Sequence, residues 1–364
     1  MTDSPDVLIV GGGVIGCAVA WDAARRGLRV TVIERNTPGA AATSAAAGML
    51  SPLGETQPDS PLGRLATASY DLYPDFVARL HQTTGIDVEY REHGKLHVAF
   101  TAAEESSLAR LAAAAGHRGV RFLDAHETRV LEPALSEVIR SALLIDRDAR
   151  IDNRRLGHAV WHAAEHDGVT FHIGRAVQSV EQSRTGRFLV RLDGESRIEA
   201  SAVVIAAGSW SNAIRGVSAP PVRPVRGQML AVATTLLHRT IHGHGCYLVP
   251  RDDGRTLVGA TVEEAGFEPG PTPAGIRQLL DAALHLVPAL GDARLVETWA
   301  GYRPATPDEL PILGEDPDMP KLYWATGHFR NGILLAPITA EIIGRVLTGD
   351  DVPDIEPFSM QRFR

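Results

Sequence analysis

The sequence predicts a mixed α/β fold in which a parallel, helix-flanked sheet is interrupted by an antiparallel one. Three observations carry that prediction. The chain opens with an apolar run, a glycine-rich turn, a helical pattern and a second apolar run. Two further apolar runs, within 200–211 and 322–327, each end in glycine. Between them, residues 85–100 and 222–262 alternate apolar and polar side chains, the period of antiparallel strands with one solvated or ligand-facing side.

Composition bounds what such a chain can do. At 364 residues it has room for two domains with buried cores. A hydrophobic content of 44% and a charged content of 22% are those of an ordinary soluble protein. The formal net charge of −8 argues against nucleic acid or an anionic membrane as partner. No apolar run approaches the ~18 residues of a membrane span. The opening "MTDSPDVLIV" has acidic residues where a signal peptide needs basic ones. Cys17 and Cys246 make no disulfide framework and fit a reducing compartment, so a cytoplasmic location is expected. Cys17 falls on an apolar helix face and reads as a small core residue.

The first element, residues 7–10, is fully apolar, as in a parallel strand covered on both faces. Gly11, Gly13 and Gly16 then fall on G-x-G-x-x-G. The first glycine permits the tight turn, the second lets backbone approach a pyrophosphate, and the third lets the helix pack on the strand. Apolar positions recur at helical spacing over 14–26, with Gly27 as the expected C-cap. The second strand, 29–33, ends in Glu34, whose carboxylate can accept hydrogen bonds from both ribose hydroxyls of an adenosine. With strand, helix, second strand and terminal acid in register, this is a Rossmann-like dinucleotide-binding unit.

FAD and NAD both suit such a unit, and later segments favour FAD. "RNTPGAAATSAAAGMLSP" (35–52) is small and glycine-containing, suited to lie closely against an extended cofactor, with the hydroxyls of Thr43 and Ser44 able to meet phosphate oxygens. A flexible alanine-rich loop is the plainer alternative. "ASAVVIAAGSWS" (200–211) brings a further close-approach glycine, Gly208, to the carboxyl end of a buried strand, where open α/β sheets bind ligands. No second G-x-G-x-x-G with a strand-terminal acid is present, so electrons are expected from an organic substrate directly and not from NAD(P)H.

The chain resembles the D-amino-acid-oxidase-type FAD amine oxidases, and within them the glycine oxidases of the thiamine pathway. "GGGVIG", "TSAAAGML", "CYLVPRDDGRTLVGAT", "WAGYRPATPD" and "GHFRNGILLAP" carry the resemblance from end to end. It implies an FAD-binding domain at 1–82, 145–219 and 300–364, interrupted by a substrate-binding domain at 83–144 and 220–299. It implies oxidation of glycine and small amines such as sarcosine, with O2 as electron acceptor and hydrogen peroxide as product, in a homotetramer. A D-amino-acid or D-proline oxidase, or an oxidase that tailors amino acids in secondary metabolism, is the alternative on the same fold. Cofactor contacts are implied for Val14, Ile15, Arg35, Ala47, Gly48 and Met49, for Val177 and Ala207, and for His328, Phe329, Arg330, Asn331, Gly332, Ile333 and Leu334.

Flavin oxidation of an amino acid requires a cation for the substrate carboxylate and apolar walls around its α-carbon, with no obligatory acid–base pair. Arg303, in "GYRP", offers a planar fork that matches a carboxylate, and the resemblance makes it the carboxylate-binding arginine. A surface ion pair with Asp308 is the alternative. Pro304 beside it is not expected to continue a sheet ladder. Tyr247 leads a strand whose partner follows the turn 252–254, and the resemblance makes it a carboxylate contact. Arg330 is expected at the flavin–substrate boundary, with extension into solvent as its alternative. Val262, Gly48 and Met49 line the substrate pocket by the same resemblance; Val262 stands where related glycine oxidases have a longer methionine.

"LYWATG" (322–327) reads as a third buried strand and "NGILLAPITAEIIGRVL" (331–347) as the helix after it, its N-terminus aimed at the flavin. Pro337 demands a kink or break there. His242, His244 and Cys246 alternate in "HGHGC", but the glycines suggest a loop and no fourth ligand is near, so no metal is expected. The related sarcosine oxidases attach flavin to a cysteine near the segment matching 299–304. This chain has none there, so its FAD is expected to be non-covalent.

Overall fold

The computed structural model describes residues 4–55, 59–115, 119–352 and 354–364. Five parallel strands and one antiparallel edge strand make the first sheet. Ala202–Ile205, Val7–Val10, Val30–Glu34 and Thr170–Ile173 lie in that order, with Leu322–Thr326 beyond Ala202–Ile205 and Ile312–Glu315 antiparallel at the edge. Val7–Val10 and Ala202–Ile205 are buried at every position. Their alternate side chains serve two cores. Val7, Ile9 and Val204 pack with the helices Val14–Arg25, Asn153–His166 and Ala336–Thr348, whereas Leu8, Val10 and Val203 pack under a three-stranded antiparallel sheet, Val177–Gln182, Phe188–Leu192 and Arg197–Ala200. Burial on both faces is why these strands are continuous apolar runs.

The glycine turn seats the first helix. Gly11 has φ +106°, and a Cβ there would lie 2.5 Å from the Ala206 carbonyl oxygen. A Cβ at Gly16 would run into the Gly11 carbonyl oxygen. Any larger residue at either position lifts the helix off the sheet. The helix ends at Arg25, and Gly27 takes the left-handed conformation at φ +88°.

The second sheet has eight strands in the order Arg294–Ala305, Arg223–Ala233, Arg255–Gly259, Cys246–Pro250, Thr240–Gly243, Lys95–Ala99, Ser141–Ile145 and Val120–Asp124. Each pair is antiparallel except Thr240–Gly243 with Lys95–Ala99, which is parallel. This corrects the expectation of a purely antiparallel sheet. The two strands come from separate interruptions of the first sheet, so no hairpin dictates their sense. The strand expected over 85–100 is also shorter. Asp87 accepts a hydrogen bond from the Glu89 N–H at 2.8 Å, Glu89 and Gly94 have φ of 54° and 74°, and the strand begins only at Lys95.

Other local expectations meet the structure in different ways. Thr101 caps Ala102–Ala115, accepting from the Glu104 N–H at 3.2 Å, while Glu104 accepts from the Thr101 N–H at 2.9 Å. The expected end of that helix, 116–118, lies outside the described residues. Thr272 caps Pro273–Leu286, accepting from Gly275 at 3.2 Å. Pro304 does continue a ladder, opposite Pro224, because Arg294–Ala305 is the edge strand and its outer side needs no N–H donors. Arg303 therefore stands on the eight-stranded sheet, and the boundary expected at residue 300 falls inside this strand. The expected helix over 331–347 begins only at Ala336, with Pro337 in its first turn, where a missing N–H costs nothing. Residues 331–335 are a turn instead. No helix among the described residues is long and apolar enough to cross a membrane.

Candidate active site

A cavity of about 720 Å³ runs between the carboxyl ends of the parallel strands and one face of the eight-stranded sheet. At one end lie Gly11, Gly13, Val14 and Ile15. Gly13 provides no side-chain cap for the helix, and the cap comes from a distant segment: the buried Thr43 hydroxyl accepts from the Val14 N–H at 3.0 Å. The N–H groups of Gly13 and Ile15 find no acceptor among the described residues. Such a helix N-terminus carries about half a positive charge and binds anions. Glu34 is fixed at its strand end by accepting from the Gly12 and Asn36 N–H groups, each at 2.7 Å. Arg35, also at the cavity, lays its guanidinium over the Trp210 ring at 3.6 Å. Gly16 faces the sheet and not the cavity, as its packing role requires.

Further along, Ala47, Gly48, Met49, Val177, Ala207 and Gly208 line the wall. Gly48 has φ +69°, and a Cβ there would collide with the Ile151 carbonyl oxygen, so only glycine lets this segment lie flat. Ser44 is turned away from the cavity. Its hydroxyl donates to the Ala40 and Ala41 carbonyls at 2.6 and 3.2 Å.

The turn that replaces the expected helix start supplies the donors at the far end. Gly332, Ile333 and Leu334 line the cavity, and their N–H groups have no acceptor among the described residues. Tyr73 and Ser69 hold this turn from behind by donating to the Ile333 and Leu334 carbonyls. Phe329, at φ 46°, packs its ring with Val225 and Ala305, and Asn331 is buried. His328 is 3% exposed with Nε2 placed 3.0 Å from the Thr339 hydroxyl, and burial pulls its pKa down to about 3. The histidine ring therefore anchors the turn in its neutral form.

The remaining wall is polar side chains laid over bare backbone. Arg303 is half-buried, and its Nη1 donates to the Thr261 carbonyl at 3.1 Å. It lies over Gly227, where a Cβ would come within 2.6 Å of the guanidinium carbon. Tyr247 likewise lies over Gly259, where a Cβ would approach its hydroxyl to 2.6 Å. Arg303 has no acidic partner among the described residues, and Asp308, the alternative partner, pairs with Arg362 at 2.7 Å. Arg330 is exposed, stacks at 5.0 Å on the Phe329 ring and also has no described acidic partner. Val262 sits at the cavity with 56% of its surface exposed.

Sequence reasoning missed Gly227 and Gly259, although glycine inside an alternating strand is a signal of close approach. It missed His242 and Met229 as cavity residues too. The alternating triplet splits up. His242 meets His97 edge-on at 4.7 Å, His244 stacks on His285 at 4.0 Å as part of a tight turn, and Cys246 is buried. Burial first, then the neighbouring His97 and the charges of Lys95 and Arg330, lower the His242 pKa to about 3.

Free N–H groups at a helix start, a strand-terminal carboxylate, a wall of small residues and a second set of free N–H groups fit an extended dinucleotide with an electron-rich ring. That arrangement, on this fold, defines a nucleotide-dependent oxidoreductase. The chain matches the DAO family, FAD dependent oxidoreductase, over residues 6–346, and it belongs to that family. Its cofactor is accordingly FAD. It is 37% identical to the glycine oxidase of Geobacillus kaustophilus, with 100% of this chain and 98% of that protein covered. The crystal structure of that glycine oxidase superposes with a TM-score of 0.94 at 36% identity, covering 98% of each chain. The bifunctional protein ThiO/ThiG of Synechocystis sp. is 39% identical over 100% of this chain, which spans only 55% of that protein's length.

The His328 environment predicts an acid-side instability. Its folded pKa of about 3 lies below the ordinary value of 6.5, so the unfolded chain binds the extra proton. The stability is complete above about pH 6.5 and is lost progressively as pH falls toward 3, by up to ~1.4 kcal/mol per pH unit for one proton. Melting curves at saturating FAD should fall less steeply over that window in His328→Asn than in the parent; parallel curves would remove His328 as a source.

Proposed function

We propose that this chain oxidises glycine and small amines such as sarcosine, N-ethylglycine and small D-amino acids. The product imine hydrolyses to glyoxylate, or to the matching 2-oxo acid from a D-amino acid, with ammonia or a primary amine, and O2 is reduced to hydrogen peroxide. One observation carries this: two guanidiniums without described acidic partners, Arg303 and Arg330, line the same cavity as the donor-bearing turn 332–334. Within this proposal, residues 1–82, 145–219 and 300–364 hold the cofactor, and 83–144 and 220–299 build the substrate side.

Bound FAD supplies the two-electron oxidation, taking a hydride equivalent from the substrate carbon. The chain's residues do the rest by position. Arg303 binds the carboxylate through its fork, and the Thr261 carbonyl fixes the orientation of that fork. Tyr247 donates its hydroxyl to the same carboxylate from the next strand but two; without substrate that hydroxyl donates to the Met229 sulfur at 3.8 Å. Arg330 closes the solvent side. The unpaired N–H groups of Gly332, Ile333 and Leu334 would meet an electron-rich part of the bound cofactor and favour negative charge there. Gly48 and Met49 wall the pocket opposite, and the exposed Val262 leaves room for a substituent on the amine. The cofactor is held non-covalently. Cys246 is the cysteine at the cavity, and burial raises its thiol to about 12, so no thiolate is available to attack the ring.

Three outcomes are expected. Anaerobic addition of glycine or sarcosine should bleach the visible flavin band, with peroxide released on admitting air; no bleaching by any member of a panel of glycine, sarcosine, N-ethylglycine and small D-amino acids would sink the proposal, and faster bleaching by D-proline would shift it to the alternative substrate class. Arg303→Ala should weaken substrate interaction by ~2–5 kcal/mol, the range for truncating one partner of a buried charge pair; an unchanged KM for glycine would remove Arg303 from its role. Acid precipitation should leave a colourless pellet, and a yellow one would disprove non-covalent attachment.

A further inference from the structure

A second cavity, of about 460 Å³, opens beside the turn 251–254 and shares no lining residue with the flavin cavity. Arg150 and Arg251, each 6% exposed, form its buried part, with Arg239, His93 and Thr235 around them. One carboxylate, Asp252, also lines it.

The hydrogen-bonding capacity of the guanidiniums there is not filled. Asp252 is shared between two guanidiniums, 2.6 Å from Arg150 and 2.7 Å from Arg91. Arg239 is met by the buried Glu132 at 3.6 Å, which also accepts from the His238 and Arg239 N–H groups. Arg251 makes no ion pair among the described residues, although the charges of Asp152 and Glu89 reach it. Its Nη2 donates only to neutral oxygens, the Ala47 carbonyl at 2.7 Å and Asn153 Oδ1 at 2.9 Å. Nε and Nη1 of Arg150 and Nη1 of Arg251 are buried with no hydrogen-bond partner. Buried donors on charged groups are costly to leave unmet. His93, at the exposed rim, is close enough that the charges of Arg150 and Arg239 reinforce the effect of burial in lowering its pKa.

We propose that this cavity is a second binding site, for a tetrahedral oxyanion of the phosphate type, with Arg150 and Arg251 as its main contacts. Three unpartnered nitrogens on two separate guanidiniums outnumber the two oxygens of one carboxylate, whereas a tetrahedral anion offers an oxygen to each. Thr235 and the neutral His93 add hydrogen-bonding groups at the mouth.

The test uses FAD-saturated protein, so that the cofactor's own phosphate sites are filled. Isothermal titration with inorganic phosphate, at ionic strength held constant with chloride, should show one saturable site per chain, and acetate should show none. Arg150→Gln should weaken phosphate binding at least tenfold. His93→Glu, at an exposed position, leaves the buried arginines intact and should weaken it equally by placing a carboxylate at the mouth; an unchanged flavin spectrum certifies its fold. Absence of a saturable phosphate site, so that water alone fills the cavity, would overturn the proposal. So would wild-type affinity in His93→Glu, or acetate binding as tightly as phosphate.

Discussion

The contact of Gly16 with the Gly11 carbonyl is the constraint from which the rest of the structure follows. It lowers the first helix onto the sheet and so places a positively polarised helix start at the carboxyl edge of the parallel strands. Two distant segments are then brought to that edge. Thr43 supplies the missing cap from 29 residues away, which fixes the small-residue segment alongside the helix start. Glu34 closes on the Gly12 N–H from the neighbouring strand and locks the turn from the other side. A cofactor's phosphates and ribose can be met at once because both partners are already held by the backbone they serve. Preorganisation of this kind removes the ordering cost that binding would otherwise carry.

The eight-stranded sheet solves the opposite problem, of exposing polar groups on a packed surface. A guanidinium and a phenol can lie flat across neighbouring strands only where those strands lack side chains. Gly227 and Gly259 provide the two gaps, under Arg303 and Tyr247 respectively. Gly301 provides a third, where Ala45 of the small-residue segment docks against the strand that carries Arg303. The small-residue segment and the eight-stranded sheet thus meet through close backbone approach, with little side-chain volume between them. Glycine weakens a strand, and here that cost is tolerated on strands held by long ladders, eleven register pairs between Arg223–Ala233 and Arg294–Ala305.

Much of this was legible in the sequence because local pattern and burial agree. Val7–Val10 and Ala202–Ile205 are apolar throughout since both their faces are covered, and Thr101 and Thr272 cap helices by chemistry confined to four residues. What was illegible depends on partners far along the chain. The parallel pairing of Lys95–Ala99 with Thr240–Gly243 joins segments that no local signal relates. Thr43 and Ser44 look equivalent in sequence, but the orientation of one helical turn sends the first to Val14 and the second back to its own carbonyls. The start of the last helix was legible in principle. Pro337 cannot sit in a helix interior, and its place in the first turn moves the helix start past the cavity, leaving the turn 332–334 to present the donors.

The distribution of charge separates structure from function more sharply than the count of arginines does. Arg29 and Arg154 are held by Asp6 and Glu297 at 2.7 and 2.8 Å, and such pairs at or near the surface contribute little net free energy beyond orientation. Arg303 is instead turned toward a cavity with the Thr261 and Arg226 carbonyls as its described acceptors, and Arg330 rests on an aromatic ring. In a chain with a formal charge of −8, acids were available to neutralise both. Leaving a half-buried guanidinium on neutral oxygens sacrifices Coulombic stabilisation in the free protein. An arriving anion would recover that sacrifice, which is why the substrate carboxylate is proposed to sit at Arg303.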